Sequence, residues 1–599
     1  MERSAGHDDA RLVRPRLLGR RGFLGLGAVA AAALAGCTPG TVGTPATTPG
    51  PTGDPEPLVF RFGTAAAPET LDPALAVDNE SFRITRQVFE TLVGVDPNTG
   101  APTPALATGW TVSDDGLRYR FTLRQGVLFH DGTAFDAEAC VANFQRWASL
   151  PPELGARPGQ AFDAVFHHHP QPPAPVVADT GGQDTLADRA EALEDAEVEG
   201  IDGEVLDGAS YFAGCTAVDP MTFELRLRAP LTGLIEALTM AGFGIASPRA
   251  LEELAADEVE LDENGAPRSA FGAAPVGTGP FAFAQVDGDR VVLESFDGHW
   301  QDRGQVDTVE FGVLRDAGSR LRSLRRGDID GYDMVTLDEL RELVRGGQQL
   351  LQRDPFSVFF LGMNQQNAVL ADVSVRQAVA HAVDRQRLIE RFFISGTKEA
   401  RSFLPPSLGV PSPEGYYGYN PEAARELLAE AGYDGEPVPF TYPLGITRAY
   451  LPLPERIYAE LSRQLSAVGI TIRPVPVPWS EGYLQQVLGG EQPGFNLLGW
   501  SGSYRDPDHF LSSIFGASAR QFGYAPTALR TQITTARSMA PGDERTEAYR
   551  AIGELLAADL PALPIAYPIS AVAVGQSVTS YPSSPVLDEV FDRVSVVTD

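Results

Sequence analysis

A chain of 599 residues is too long to fold around one hydrophobic core, so the length predicts at least two lobes. Hydrophobic residues make up 43% of the chain and charged residues 21%, which is typical of folded soluble proteins and not of disordered ones. The formal net charge is −32. Because phosphate binding needs clustered Arg and Lys, this charge excludes a nucleic-acid partner.

The N-terminal 37 residues have the organisation of an export signal. Five arginines between Arg11 and Arg21 precede an apolar run from Phe23 to Ala35, which is the pattern of a signal peptide. The apolar run is shorter than the roughly 20 residues that a membrane-spanning helix needs. Arg20 and Arg21 resemble a twin-arginine export motif, with the Sec route as the alternative.

Residues 34–37, Leu-Ala-Gly-Cys, resemble a lipobox, in which the cysteine is lipid-modified and becomes the mature N-terminus. Thr, Pro and Gly fill sixteen of the twenty positions from 38 to 57, so we expect an extended tether there. We therefore predict a lipid on Cys37 that anchors the folded body to the outer face of the cytoplasmic membrane. A plain secretory signal with a chance cysteine is the alternative.

Only two cysteines follow Cys37, and these are Cys140 and Cys215. An oxidising exterior would permit a disulfide between them. The alternative is a pair of buried thiols, because Cys140 shares the apolar face of a predicted helix with Phe144 and Trp147.

The body of the chain alternates strand and helix patterns. Residues 117–124 alternate apolar and polar side chains, which predicts a half-buried strand. In the second half, Asn420 and Pro421 begin a predicted helix that Gly432 ends. The fold class is therefore mixed α/β.

Residues 160–207 interrupt this alternation. Eleven carboxylates between Asp179 and Asp207 face a single Arg189, and such a stretch repels itself and is poor in large apolar side chains. We interpret it as a surface insertion. The histidines at 167–169 could bind a metal, but adjacent histidines cannot all point at one ion, so we predict a solvated loop, no metal site and no cofactor.

No motif of an enzyme is complete. Residues 277–282 fit the dinucleotide pattern G-x-G-x-x-A, but Pro280 and the strand-like sequence after it exclude a phosphate-binding turn. Residues 499–503 lack the last glycine of a nucleophile elbow. We therefore predict that the protein is not an enzyme. The alternative is an exported hydrolase that uses Asp506 and Asp508 as an acid/base pair.

Eight blocks in the same order resemble the family 5 extracellular solute-binding proteins, which include the dipeptide- and oligopeptide-binding proteins of ABC importers. The blocks are residues 71–73, 89–93, 121–133, 275–281, 324–330, 375–379, 382–385 and 424–428. The resemblance covers about residues 58 to 590, and the acidic insertion is the clear departure from it.

This resemblance implies a two-lobed periplasmic-binding-protein fold, the large variety of type II, with the ligand in the cleft between the lobes. Lobe I would comprise residues 58–312 with the insertion at 160–207, lobe II residues 313–564, and residues 565–599 would return to lobe I. Hinge closure would present a shape that permease subunits recognise. The protein would act as a monomer that binds peptides or peptide-like solutes, or alternatively the oligosaccharides, metal chelates or haem that some relatives carry.

The resemblance also implies a ligand site. Its candidate residues are Phe82, Asn364, Trp500, Ser503, Tyr504, Arg505 and Asp506. In peptide-binding relatives, the block resembling residues 498–511 carries an aspartate that pairs with the ligand's α-amino group, and here Ser503 stands at that position. Because a desolvated ammonium needs a counter-charge, either Asp506 or Asp508 supplies it or the ligand has no free amino terminus. We favour the second.

Overall fold

The computed structural model describes residues 57–597 apart from 158, 168–197, 200–204, 207–209, 264, 416, 517–518 and 525. The predicted signal peptide, the lipobox with Cys37, the tether up to residue 56 and most of the acidic insertion lie outside the described residues. Residues 57–599 form one compact unit.

The described strands run in chain order. They are β1 Val59–Thr64, β2 Val93–Val95, β3 Pro102–Pro104, β4 Ala107–Val112, β5 Arg118–Leu123, β6 Val198–Glu199, β7 Val205–Leu206, β8 Phe212–Asp219, β9 Thr222–Leu227, β10 Glu260–Leu261, β11 Pro267–Arg268, β12 Phe281–Asp287, β13 Arg290–Ser295, β14 Thr308–Val313, β15 Gly331–Tyr332, β16 Gln349–Gln352, β17 Ser357–Met363, β18 Lys398–Glu399, β19 Val438–Leu444, β20 Ile472–Pro478, β21 Phe495–Ser501, β22 Ala562–Tyr567, β23 Ala571–Val574, β24 Val578–Ser580 and β25 Ser595–Val596.

The described α-helices are numbered in the same way. They are α1 Asn79–Val88, α2 Ala137–Ser149, α3 Pro152–Gly155, α4 Ala161–Phe166, α5 Leu234–Ala237, α6 Pro248–Glu253, α7 Ala270–Ala273, α8 Ala317–Arg326, α9 Leu337–Gly346, α10 Ala368–Ala371, α11 Val373–Ala382, α12 Arg385–Phe392, α13 Pro421–Glu430, α14 Pro454–Ala467, α15 Tyr483–Gly489, α16 Pro507–Phe515, α17 Thr527–Ser538 and α18 Asp543–Asp559. Within the described ranges, no helix is both long enough and apolar enough to span a bilayer.

Three sheets carry most of the fold. A seven-stranded sheet has the order β12-β13-β14-β1-β15-β23-β16, and a four-stranded sheet has the order β4-β5-β9-β8. We call these two sheets with their helices the first lobe; a buried ion pair between Arg146 and Asp72 joins them. A six-stranded sheet of order β18-β22-β17-β21-β19-β20 and its helices form the second lobe. The mixed α/β class predicted from the sequence is confirmed.

Local patterns produced several of these elements as predicted. Strand β5 alternates exposed and buried residues along its whole length, as a half-buried strand should. The Asp136 side chain accepts a hydrogen bond from the Ala139 N–H and so begins α2. Asn420 caps α13, and Gly432 follows the helix in the left-handed region at φ 70°, where glycine is favoured.

The chain crosses between the lobes twice, and the crossings differ from the expected boundaries. The first crossing runs from Gln352 at the end of β16 to Ser357 at the start of β17, well after residue 312. The reason is that β15 and β16 pair with β23 and so extend the seven-stranded sheet. The return runs from Tyr567 to Ala571, a few residues after the expected 564.

A buried charge cluster holds the first crossing. The Arg353 guanidinium is 1% exposed and contacts Asp333 Oδ1 at 2.8 Å and Glu589 Oε1 at 2.6 Å. Arg83 of α1 pairs with the same two carboxylates, and these arginines hold the pKa of Asp333 well below its usual range. Because buried charges are tolerated only when they are paired, the cluster fixes the crossing to the first lobe.

The two cysteines in the described body do not form the disulfide that we considered. Cys140 on α2 and Cys215 on β8 are both free thiols. The Cys140 Sγ lies 3.6 Å from the Asp136 carbonyl oxygen, within its own helix. Burial raises the pKa of the Cys215 thiol to about 12 and raises that of Cys140 as well, so both behave as packing residues.

Candidate ligand-binding site

The site is defined by the edge of the six-stranded sheet that faces the crossings. Strand β19 runs parallel to β20 and to β21, so the carboxyl ends of all three strands lie at one edge. Ser501, the last residue of β21, pairs with Ser357, the first residue after the crossing. Ligands of open α/β sheets bind outside the carboxyl ends of strands, which places the candidate site between this edge and the first lobe.

Trp500 presents an unused hydrogen-bond donor at this edge. Its ring is half-buried and lies edge-on to His509, with centroids 5.5 Å apart. The indole Nε1 is buried and has no hydrogen-bond partner among the described residues. Leaving a buried donor unpaired costs about 1–3 kcal/mol, and an acceptor on a bound ligand would remove this cost.

His509 shapes the loop that follows β21. Its Nε2 accepts a hydrogen bond from the Ser503 N–H at 2.9 Å, and its ring lies 4.2 Å from that of Tyr504. Burial lowers the pKa of His509 to about 3, so the imidazole is neutral and can accept. The Ser503 side chain is left exposed at the edge.

Tyr504 is a packing residue of the lobe boundary. It is only 5% exposed and belongs to the hydrophobic core of the four-stranded sheet in the first lobe, together with Leu231 and Leu234. Tyr504, a candidate for the ligand site, therefore packs at the lobe boundary in the structure.

Asp506 and Asp508 are both engaged by arginines. Asp506 receives two hydrogen bonds from Arg545, at 2.8 and 2.9 Å, and caps α16 by accepting from the Asp508 N–H. Asp508 lies 3.3 Å from the Arg537 Nε and accepts from the Ser512 hydroxyl at 2.5 Å. Neither carboxylate is free to replace the charge missing at Ser503, and neither offers the acid/base pair of the hydrolase alternative.

Arg505 bridges the lobes. Its guanidinium donates to the Thr99 carbonyl oxygen in the β2–β3 turn and to the Ser407 carbonyl oxygen in the second lobe. The Arg505 Cδ also lies 3.2 Å from where a Cβ on Gly100 would be. Arg505 therefore joins two backbone segments across the lobe boundary.

Two other predicted residues do not meet Trp500 and Ser503. Asn364 follows β17 at the end of the sheet opposite the crossing, where its amide donates to the Arg520 carbonyl oxygen. Asn364 therefore lies at the end of β17 away from Trp500 and Ser503, and its place in the ligand site stays a prediction. Phe82 is half-buried on α1, beside Arg83 of the charge cluster, with its ring near Gly242.

The structure adds residues that the sequence did not single out. The loop after β19 carries Arg448, whose guanidinium lies 4.6 Å from the centroid of the Trp479 ring. Tyr450 of the same loop covers Gly499, where a Cβ would come within 2.5 Å of the tyrosine ring. The signal available in the sequence was the position of these residues directly after two parallel strands.

A pocket between the lobes adjoins this loop. Its lining comes from the turn after β15, from α12 and its end, from the loop after β19 and from the second crossing: Met334, Val335, Leu337, Phe392, Phe393, Ile394, Thr447, Arg448, Ala449, Pro452, Ile569, Ser570 and Ala571. Arg448 is its only charged lining residue among those described. Within the same described ranges, no group of three or more His, Cys, Asp or Glu side chains could hold a metal ion.

Two lobes joined by two crossings, with polar and aromatic groups at the facing sheet edge, form a cleft of the kind that binds a solute. Residues 101–522 match the model of the bacterial extracellular solute-binding proteins, family 5 Middle. The chain therefore belongs to this family, and the predicted family and two-lobed fold are confirmed.

Relatives and solved structures agree with this assignment over nearly the whole chain. Heme-binding protein A of Haemophilus influenzae is 27% identical over 90% of this chain and 92% of its own length. The dipeptide-binding protein of Escherichia coli is 26% identical over 89% and 94%. The structure of the periplasmic binding protein DppA from Helicobacter pylori, in complex with the peptide STSA, has a TM-score of 0.71 at 23% identity and covers 90% of this chain and 99% of its own.

Proposed function

We propose that the protein is the lipid-anchored receptor of an ABC importer and that it captures peptides or peptide-like solutes outside the cytoplasmic membrane. Family membership and the similarity to a dipeptide-binding protein support this class of ligand. The twin-arginine motif, the lipobox at Cys37 and the Thr/Pro/Gly tether support export followed by anchoring. The protein would act as a monomer that delivers its solute to the permease subunits.

The unpaired indole N–H of Trp500 is the observation that carries the ligand chemistry. A peptide carbonyl would accept this hydrogen bond, and a carboxylate would pair with Arg448 at the pocket between the lobes. Trp500 offers a hydrogen-bond donor and Arg448 offers a cation. The proposed ligand is therefore rich in hydrogen-bond acceptors and carries negative charge at one end.

Among the described residues, the two carboxylates that follow Ser503 most closely in the sequence are not available for a ligand ammonium. Asp506 and Asp508 are each held by an arginine, and a serine hydroxyl brings no charge. We therefore propose that the ligand lacks a free amino terminus at this end, as a modified or cyclic peptide would. A non-peptide solute is the second candidate, and the same absence of a counter-charge favours it, as does the similarity to a haem-binding protein.

Mass spectrometry of the solute that co-purifies with the protein tests this function. A bound peptide with a blocked amino terminus is the expected result. A bound oligosaccharide, porphyrin or metal chelate would favour the second candidate and contradict the peptide proposal. Turnover of the bound solute by the purified protein would contradict both, because it would identify an enzyme.

A further inference from the structure

A residue of the first lobe caps a helix of the second. Helix α17 ends at Ser538, and the Thr232 N–H donates to the Arg537 carbonyl oxygen at 3.2 Å. The Thr232 hydroxyl donates to the Met539 carbonyl oxygen at 2.5 Å. The last carbonyls of an α-helix have no partner within the helix. Contact between the lobes gives the Arg537 and Met539 carbonyl oxygens a hydrogen-bond donor, and separation of the lobes would expose these oxygens to water.

Arg537 crosses the same boundary in the opposite direction. It is 2% exposed, and its Nη2 donates to the Val165 carbonyl oxygen in the first lobe. Its guanidinium carbon lies 4.8 Å from the centroid of the Tyr211 ring, also in the first lobe. On its own side, its Nε lies 3.3 Å from Asp508. The guanidinium is therefore enclosed by groups from both lobes.

Gly233 allows this close approach. A Cβ at position 233 would lie 2.7 Å from the Asp506 Cγ, which is nearer than real side chains come. The absence of a side chain therefore lets the segment that carries Thr232 rest against the paired carboxylate of Asp506 in the second lobe.

We propose that Val165, Tyr211, Thr232 and Gly233 form a latch for the end of α17, and that this latch sets how long the closed protein retains its solute. The role in solute retention rests on the proposed function; the contact itself does not. The latch residues are distinct from the groups at Trp500 and Arg448, so they act by holding the lobes together and are positioning residues.

Cross-linking without ligand tests the contact itself. A variant with Thr232→Cys and Met539→Cys would be oxidised and followed by mobility on a denaturing gel, with Thr232→Cys and Glu547→Cys as the matched control. Glu547 lies on the exposed side of α18 in the same lobe. Cys140 and Cys215 can remain, since Cys140 is buried, Cys215 is half-buried and the pKa of both thiols is raised, which slows their reaction. We expect rapid cross-linking of the first pair, and a rate no higher than that of the control pair would overturn the latch.

Release kinetics test what the latch does. Thr232→Val keeps the side-chain shape and removes one donor, so the dissociation rate of the N-acetylated dipeptide acetyl-Met-Leu should rise about fivefold, which is typical of one lost hydrogen bond. Its association rate should change little. Arg537→Met should raise the dissociation rate further, whereas Arg550→Met, which loses only contacts within α18, should leave it unchanged.

The two tests separate the latch from the ligand. A lower melting temperature with an unchanged dissociation rate in Thr232→Val would mean a purely structural contact and would refute the proposal. If wild-type protein does not bind acetyl-Met-Leu, the peptide function is in doubt, and the cross-linking result still decides whether the latch exists.

Discussion

The pairing of Asp506 with Arg545 allows a sharp test of the site, through the substitution Asp506→Asn. The two side chains are 6% and 10% exposed and share two hydrogen bonds of 2.8 and 2.9 Å. Asparagine keeps the shape and can still cap α16, but it leaves the guanidinium without its counter-charge. Breaking a buried pair from one side costs about 3–5 kcal/mol, so we expect a loss of stability of about 3 kcal/mol.

Thermal unfolding measures this loss. For about 3 kcal/mol, the melting temperature should fall by about 3 °C if the folded unit melts as a whole and by about 7 °C if the second lobe melts alone, from the usual unfolding entropy per residue. Glu547→Gln is the matched control, because Glu547 is an exposed carboxylate on the helix that carries Arg545, and it should melt like the wild type. Unchanged melting of Asp506→Asn together with lost binding of free-amine peptides would refute the pairing and identify Asp506 as the ligand's counter-charge.

Three further predictions concern the site, the anchor and the pH dependence. Trp500→Phe keeps an aromatic ring and removes the unpaired donor. Calorimetry with the co-purifying solute should show about tenfold weaker binding, and the melting temperature should not fall. Unchanged affinity would place the indole N–H outside the site. Cys37→Ala should move the protein from the membrane fraction to the soluble fraction without changing its affinity, and a variant that stays in the membrane would contradict the lipid anchor. Burial lowers the pKa of His509 to about 3, so its contribution to stability is complete above about pH 6.5 and decreases by at most about 1.4 kcal/mol per pH unit as the pH falls toward 3. In acid unfolding, a His509→Asn variant should therefore show a smaller dependence of the unfolding free energy on pH than the wild type. An unchanged dependence would show that His509 does not contribute.

Local patterns were sufficient for the elements and insufficient for their pairing. The alternation in β5, the helix that carries Cys140 and the start of α13 at Pro421 depend on neighbours in the sequence, and each was predicted. The first crossing lies later than expected because β15, which has only two residues, pairs with β1 and β23, and β16 joins the sheet through β23 near the other end of the chain. Such pairing over a long separation leaves no periodic signal.

The same limit applies to the site. Trp500 and Ser503 were predicted as site residues because the block around them resembles a family motif, and the structure has both at the sheet edge that faces the crossings, while their role in ligand binding stays a prediction. The position of Asn364 could not be predicted because a strand pattern does not give the direction of the strand, and β17 carries this residue to the far end of the sheet. The roles of Asp506 and Asp508 depend on Arg545 and Arg537, which meet them only through the packing of α16, α17 and α18.

Calorimetry with matched peptides tests the proposed ligand most directly. The panel would contain di- to pentapeptides, each with a free and with an acetylated amino terminus. Since Ser503 provides no charge and both neighbouring aspartates are paired, acetylated peptides should bind at least as tightly as their free-amine counterparts. Tight binding of free-amine peptides alone, lost on acetylation, would contradict the proposed ligand chemistry.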